Sequence, residues 1–133
     1  AGECSGRTHE LPVVYDGPDL DDVGRLTGLT IGEIRDLHAK SIYVVAFLGF
    51  SRGFPYLAGL DPALKVPRLD TPRLRVPPGS VGIIGEQCGI YQVSTPGGWR
   101  LIGRTEAELF DPLRIPPSRL LPGDRVRFVA SSR

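Results

Sequence analysis

Apolar and polar positions alternate in short runs along most of this chain, and one early region breaks that rhythm with helical spacing. Leu11-Pro-Val-Val-Tyr15 is a short apolar run whose proline suits a strand entrance or a sheet edge. Asp16-Gly17-Pro18 is turn chemistry. Asp19 is placed to cap a short helix in which Leu20, Val23 and Leu26 recur at helical spacing, closed by Thr27-Gly28. Thr30 starts a second helix, and Glu33 completes a capping box in which side chain and backbone satisfy each other's orphan donors. Ile31, Ile34, Leu37 and His38 share one face of that helix. Two short amphipathic helices of this kind commonly lie across a β-structure and cover an open end.

A strand-like run, Ile42–Leu48, feeds into Phe47–Asp61, where Gly49, Gly53, Gly59 and Pro55 interrupt regular structure while Phe50, Phe54, Tyr56 and Leu57 stay large and apolar. A solvent loop is ordinarily polar, so this segment must pack on something. It is expected to fold over the end of the sheet and line a pocket or docking face, or else to plug the core. Proline then recurs at Pro62, Pro67, Pro72, Pro77 and Pro78, which predicts rigid, extended chain. Four short strands follow, Ser80–Ile84, Gly89–Val93, Trp99–Ile102 and Arg125–Val129, separated by turns at Gly85, Pro96-Gly97-Gly98 and Pro122-Gly-Asp124. Regularly spaced short strands with few helices indicate a closed or sandwiched antiparallel sheet. Residues 1–10 are small, polar and patternless and read as an arm or linker remnant.

Composition narrows the functional classes. A chain of 133 residues with 41% hydrophobic and 23% charged content is one globular domain with a single real core. A net charge of +1 makes no electrostatic case for nucleic acid or an anionic membrane, and no apolar run approaches the ~20 residues of a membrane span. Cys4 and Cys88 are too few for a disulfide framework, and with only His9 and His38 beside them no metal-ligand spacing appears. A reducing cytoplasm is the expected compartment. The chain starts at Ala1 and holds no Met, which points to a processed product or a piece of something longer.

Candidate chemistry is sparse. Gly82-Ile-Ile-Gly85-Glu-Gln-Cys-Gly89 is glycine-rich, but no Gly-Lys-Ser/Thr closes it and no helical pattern follows, so it makes no nucleotide loop. Cys88 sits in a glycine-bounded turn but has no sequence neighbour that would activate a thiolate, so it reads as a small buried hydrophobe rather than a nucleophile. His38 sits on an apolar helix face, where a satisfied core histidine is the ordinary occupant. Trp99 could stack on a ligand or plug the sheet mouth. Arg68, Arg73, Arg75 and Arg104 either clamp an anion or pair with Asp61, Asp70 and Asp111 to hold extended chain in place. No serine carries a nucleophile-elbow motif.

Four ordered motifs add a resemblance. FLGFSRGFPYLAGLDP, PRLDTPRLRVPPGSVGIIGEQCGIY, TPGGWRLIGRTEAELFDP and LLPGDRVRF closely resemble the 5-oxoprolinase B-subunit family, also called allophanate hydrolase subunit 1 and including a sporulation sensor-kinase inhibitor. The match runs from Leu11 to Phe128. It implies that residues 11–133 form a cyclophilin-like closed β-barrel with two cover helices, the C-terminal half of a two-domain parent. It further implies pairing with a second cyclophilin-like subunit, in an arrangement similar to the carboxyltransferase part of urea carboxylase. A third oxoprolinase subunit would complete an ATP-dependent amidohydrolase, with no cofactor in this portion and ATP held by the complex. The resemblance points to a substrate or partner-facing pocket lined by Phe54, Tyr56, Arg73, Gln87, Tyr91 and Arg104, with no acid–base roles assigned. The alternative is a binding module that docks the dimerisation helices of a sensor histidine kinase through Phe50–Leu57. A prolyl isomerase role would rest on fold analogy alone and is set aside. Two positions depart from the family pattern: Arg52 replaces the usual proline, and Cys88 replaces the usual threonine.

Overall fold

The computed structural model describes residues 7–48, 55–91, 94–107, 113 and 120–131. Its strands are β1 (Thr8–Val13), β2 (Ile42–Leu48), β3 (Pro55–Ala58), β4 (Arg73–Val76), β5 (Ser80–Ile84), β6 (Gln87–Ile90), β7 (Thr95–Gly97), β8 (Arg100–Arg104) and β9 (Arg125–Ala130). Helices α1 (Leu20–Thr27) and α2 (Ile31–Lys40) follow β1, and a 3-10 turn occupies Pro62–Leu64. Seven strands form one sheet in the order β1-β9-β2-β3-β6-β5-β8, while β4 and β7 form a separate two-stranded ribbon. The β1–β9 ladder is parallel and the other ladders are antiparallel.

Alternation dictates which residues enter the core. In β9, Val126 and Phe128 are buried while Arg125 and Arg127 face out, and in β2 Tyr43 and Val45 are buried between exposed Ile42, Val44 and Ala46. These residues join Leu11, Val13, Ile34, Leu57 and Ile83 in the main core. α2 packs on β9 and α1 on β8. The capping box forms as the sequence requires: Glu33 N donates to Thr30 Oγ1 at 3.1 Å, and Thr30 N donates to Glu33 Oε1 at 2.9 Å. Leu26 and Ile31, expected on the buried helix faces, are 43% and 46% exposed. Each lies at a helix end.

The sheet is a curled half-barrel with two edge strands. Its edges approach where the chain leaves β1: Val14 N donates to Arg104 O at 2.9 Å and Arg104 N returns a bond to Val14 O at 3.0 Å. Gly17 N and Asp19 N then donate to Ile102 O and Leu101 O. The expected closed barrel is not shown: among the described residues the pairing order is open, with one isolated bridge across its edges. β1 also begins earlier than expected, because Thr8-His-Glu10 pairs with Arg125–Arg127.

The aromatic segment reads as a loop in the sequence, yet Pro55–Ala58 is an interior strand between β2 and β6. Leu57 is fully buried in the main core, so it cannot belong to an exposed docking anchor. Phe50, Phe54 and Arg52 lie outside the described residues. The ribbon β4–β7 covers a second cluster of Val76, Tyr91 and Leu101, with Tyr56 and Trp99 packed against it. Successive β8 residues serve the two clusters: Leu101 enters this one and Ile102 the main core.

Candidate functional site

The structure places four of the six expected pocket residues in two separate clefts. The first, about 530 Å³, is lined by Tyr56, Arg68, Ile84, Gly85, Glu86, Gln87 and Trp99. Tyr56 comes from β3, and Ile84 to Gln87 form the tight β5–β6 hairpin, in which Gly85 adopts the left-handed φ of 56°. The proline-rich segment is laced to that hairpin by Gly85 N donating to Val66 O at 2.8 Å. Leu69 N donates to Gly98 O at 2.8 Å, which sets Arg68 beside the turn that carries Trp99. The Tyr56 and Trp99 rings lie 5.9 Å apart at 59° and form an aromatic wall. Arg68 has no ion-pair partner among the described residues, whereas Glu86 lies 3.9 Å from Lys65 in a well-exposed pair.

Such a cleft can hold a small planar molecule against two rings. Arg68 supplies a cation with fork geometry suited to a carboxylate, and the Gln87 amide supplies both a donor and an acceptor. Trp99 and Arg68 stand out in the sequence as separate candidates, and only the fold makes them pocket members. The glycine pair before Trp99 is the one local signal for an indole left half-buried at a cleft wall.

Arg73 and Arg104 belong to the second cleft, about 430 Å³, with Asp16, Gly17, Pro18, Arg75, Pro77, Pro78, Ser80, Leu101 and Gly103. Among the described residues neither arginine pairs with Asp61 or Asp70, and Asp111 lies outside the described residues. Arg73 forms two 2.7 Å hydrogen bonds to the buried carboxylate of Asp19, and Arg104 Nε donates to Asp16 Oδ2 at 2.9 Å. The Asp19 hydrogen bonds hold the Arg73 pKa above its ordinary value. Asp19 therefore makes no side-chain helix cap and instead also accepts Leu101 N at 2.7 Å.

Tyr91 lines neither cleft; it is buried in the second cluster, and burial pushes its phenol pKa up. Phe54 lies outside the described residues. Of the six expected positions, Tyr56 and Gln87 meet in one cleft and Arg73 and Arg104 in the other.

The potential nucleophile lies away from both clefts. Cys88 is fully buried, with its Sγ 3.2 Å from His38 Nε2, and His38 Nδ1 is 2.7 Å from the Tyr15 hydroxyl. The His38 ring stacks on Phe128 at 4.6 Å. Burial lowers the His38 pKa to about 3 and pushes the Cys88 thiol up, so this relay is neutral and built to pack. No sequence signal marks the relay, because its members are separated by 23 and 50 residues.

Known proteins share this fold and sequence. The family profile of the carboxyltransferase domain, subdomain C and D, matches residues 2–120. The chain is 53% identical over 130 residues to the B subunit of 5-oxoprolinase from Escherichia coli O157:H7, covering 96% of this chain and 60% of that protein. It is 47% identical over 133 residues to the corresponding 5-oxoprolinase B subunit of Bacillus subtilis, covering 98% of this chain and 55% of that one. The crystal structure of a conserved uncharacterized protein from Pyrococcus horikoshii superposes with a TM-score of 0.92 at 48% identity, covering 96% of this chain and 60% of that chain. Kluyveromyces lactis urea amidolyase shares the architecture at a TM-score of 0.69 and 25% identity, over 96% of this chain and 10% of that chain. The chain spans between 55% and 61% of the length of the curated 5-oxoprolinase subunits it matches. Among the described residues no helix is long and apolar enough to cross a membrane. On profile and identity together, the chain belongs to the 5-oxoprolinase B-subunit family, as its carboxyltransferase-type portion.

Proposed function

We propose that this chain is a non-autonomous part of an ATP-dependent amidohydrolase that opens 5-oxoproline, and that the Tyr56–Trp99 cleft is its share of the substrate site. The observation that carries this reading is the 53% identity to a 5-oxoprolinase subunit over 96% of the chain. The cleft supports it chemically. Arg68 would take the substrate carboxylate, Gln87 would face the ring amide, and Tyr56 with Trp99 would flank the ring. Opening the ring breaks the amide C–N bond, with water supplying hydroxyl to the carbonyl carbon and a proton to the nitrogen. A paired cyclophilin-like subunit and a third subunit would supply the proton-transfer groups.

The nucleotide is assigned to the rest of the complex. The glycine-rich Gly82–Gly89 stretch forms a strand–turn–strand hairpin with no helix N-terminus and no lysine, so it does not fit a triphosphate.

The test reconstitutes the full-length subunit with its partners and measures 5-oxoproline-dependent ADP release. Arg68→Ala and Trp99→Ala are expected to lower kcat/KM at least about tenfold, in line with the loss of a charge-assisted contact. No release under any pairing of subunits overturns the reading.

A further inference from the structure

The second cleft carries chemistry that the substrate reading does not use. Three arginines, Arg73, Arg75 and Arg104, converge on it, against one lining carboxylate, Asp16. Arg73 is fixed by Asp19, which orients its guanidinium and leaves it little capacity for a further anion. Arg75 has no carboxylate partner among the described residues. Among the described residues the Arg104 side chain is held by Asp16 alone, in a pair about half exposed on both sides. Pro18, Pro77 and Pro78 form stiff walls, and the 2.9 and 3.0 Å backbone bonds between Val14 and Arg104 fix the floor. Among the described residues the cleft thus holds one guanidinium with no carboxylate partner and one whose partner is an exchangeable surface carboxylate.

We propose that this cleft is an oxyanion site, in which a carboxylate or phosphate group bridges Arg75 and Arg104 and displaces Asp16 from the latter. Asp16 occupies the position of the ligand in its absence, as an internal anion that a stronger one replaces. Forked guanidinium groups suit both oxyanion types, because each offers two acceptor oxygens in one plane. The oxyanion site is independent of the amidohydrolase reading, since the Tyr56–Trp99 cleft shares no lining residue with this one.

Titration of the full chain with inorganic phosphate, and separately with acetate, tests the site through the arginine Nε–H resonances in NMR spectra. Saturable shifts at Arg75 and Arg104, in the millimolar range expected of a small ion, support it. The stronger of the two titrations identifies the ligand class. Arg75→Gln should weaken binding at least about fivefold, while Asp16→Asn should strengthen it about threefold by removing the competing anion. Both side chains lie at the surface, so an unchanged backbone amide spectrum confirms that the variants fold. Shifts that do not saturate, that appear equally at Arg25 and Arg35, or that weaken in Asp16→Asn overturn the proposal. Because Trp99 lies outside this cleft, its fluorescence on addition of 5-oxoproline to the assembled complex reports the other reading independently.

Discussion

Arg73 and Asp19 hold each other through two hydrogen bonds of 2.7 Å, tying the β4–β7 ribbon to the start of α1. Asp19 is 3% exposed and also accepts Leu101 N from β8, so one carboxylate joins ribbon, helix and sheet edge. An arginine with the look of a ligand clamp is therefore a fastener. Its removal would leave a buried carboxylate with one backbone donor and no countercharge.

Arg73→Met is expected to cost about 3 kcal/mol, the low end for breaking a buried pair because Arg73 is partly solvated. Urea denaturation at neutral pH measures it. Adding Asp19→Asn should recover part of the loss, since the stranded charge disappears. A double variant less stable than Arg73→Met would remove the explanation.

Gly79 makes a second local commitment. Its φ is +87°, and a Cβ there would run into the carbonyl oxygen of Thr105. Its N–H donates to Tyr91 O and its carbonyl accepts from Thr105 N, so the backbone has no room to relax. Gly79→Ala should cost more than about 2 kcal/mol by combining backbone strain with overpacking. Gly123→Ala is a matched control: it has positive φ and open space around it, and should cost less.

Cys88 yields a prediction about reactivity. In a Cys4→Ser background, the remaining thiol should resist an aromatic disulfide reagent at pH 8 by at least about 100-fold relative to the unfolded chain, because burial holds it protonated and out of reach. Its modification rate should follow local opening, rising with urea below the global midpoint. Rapid labelling of the native chain would show that the relay is accessible.

The sequence announced those features that local chemistry decides. The Thr30–Glu33 capping box, β2 and β5 appear where spacing and propensity place them. β3 did not, because Pro55-Tyr-Leu-Ala58 is flanked by glycines and becomes a strand only through its distant ladders to β2 and β6. The same limit governed the site. Arg73 finds Asp19 across 54 residues and Arg104 finds Asp16 across 88, and no spacing rule reveals such pairs. Tyr56, Arg68 and Trp99 converge because turns and backbone bonds between segments bring them together, so their residue types were readable but their company was not.

His38 predicts how stability depends on pH. Its ring is fully buried between Phe128, Tyr43 and Tyr15, with both nitrogens engaged, and burial lowers its pKa to about 3. The unfolded chain takes up a proton near pH 6.5, while the folded chain resists until about pH 3. Below pH 6.5 the unfolded state therefore binds more protons, so stability is fully present above that value and declines as pH falls towards 3. The slope approaches about 1.4 kcal/mol per pH unit for one such group. Asp124 adds a loss at lower pH: burial alone would raise its pKa, but hydrogen bonds from His9, Leu121 and Arg7 bring it below the ordinary carboxylate value. The interval from pH 6.5 to 4.5 thus isolates histidine from that carboxylate. Urea midpoints across this interval should fall steeply in the parent chain and less steeply in His38→Leu, although the variant is less stable at neutral pH because Tyr15 and Cys88 lose their partner. Equal slopes in the two proteins would mean that His38 takes up its proton without unfolding the core.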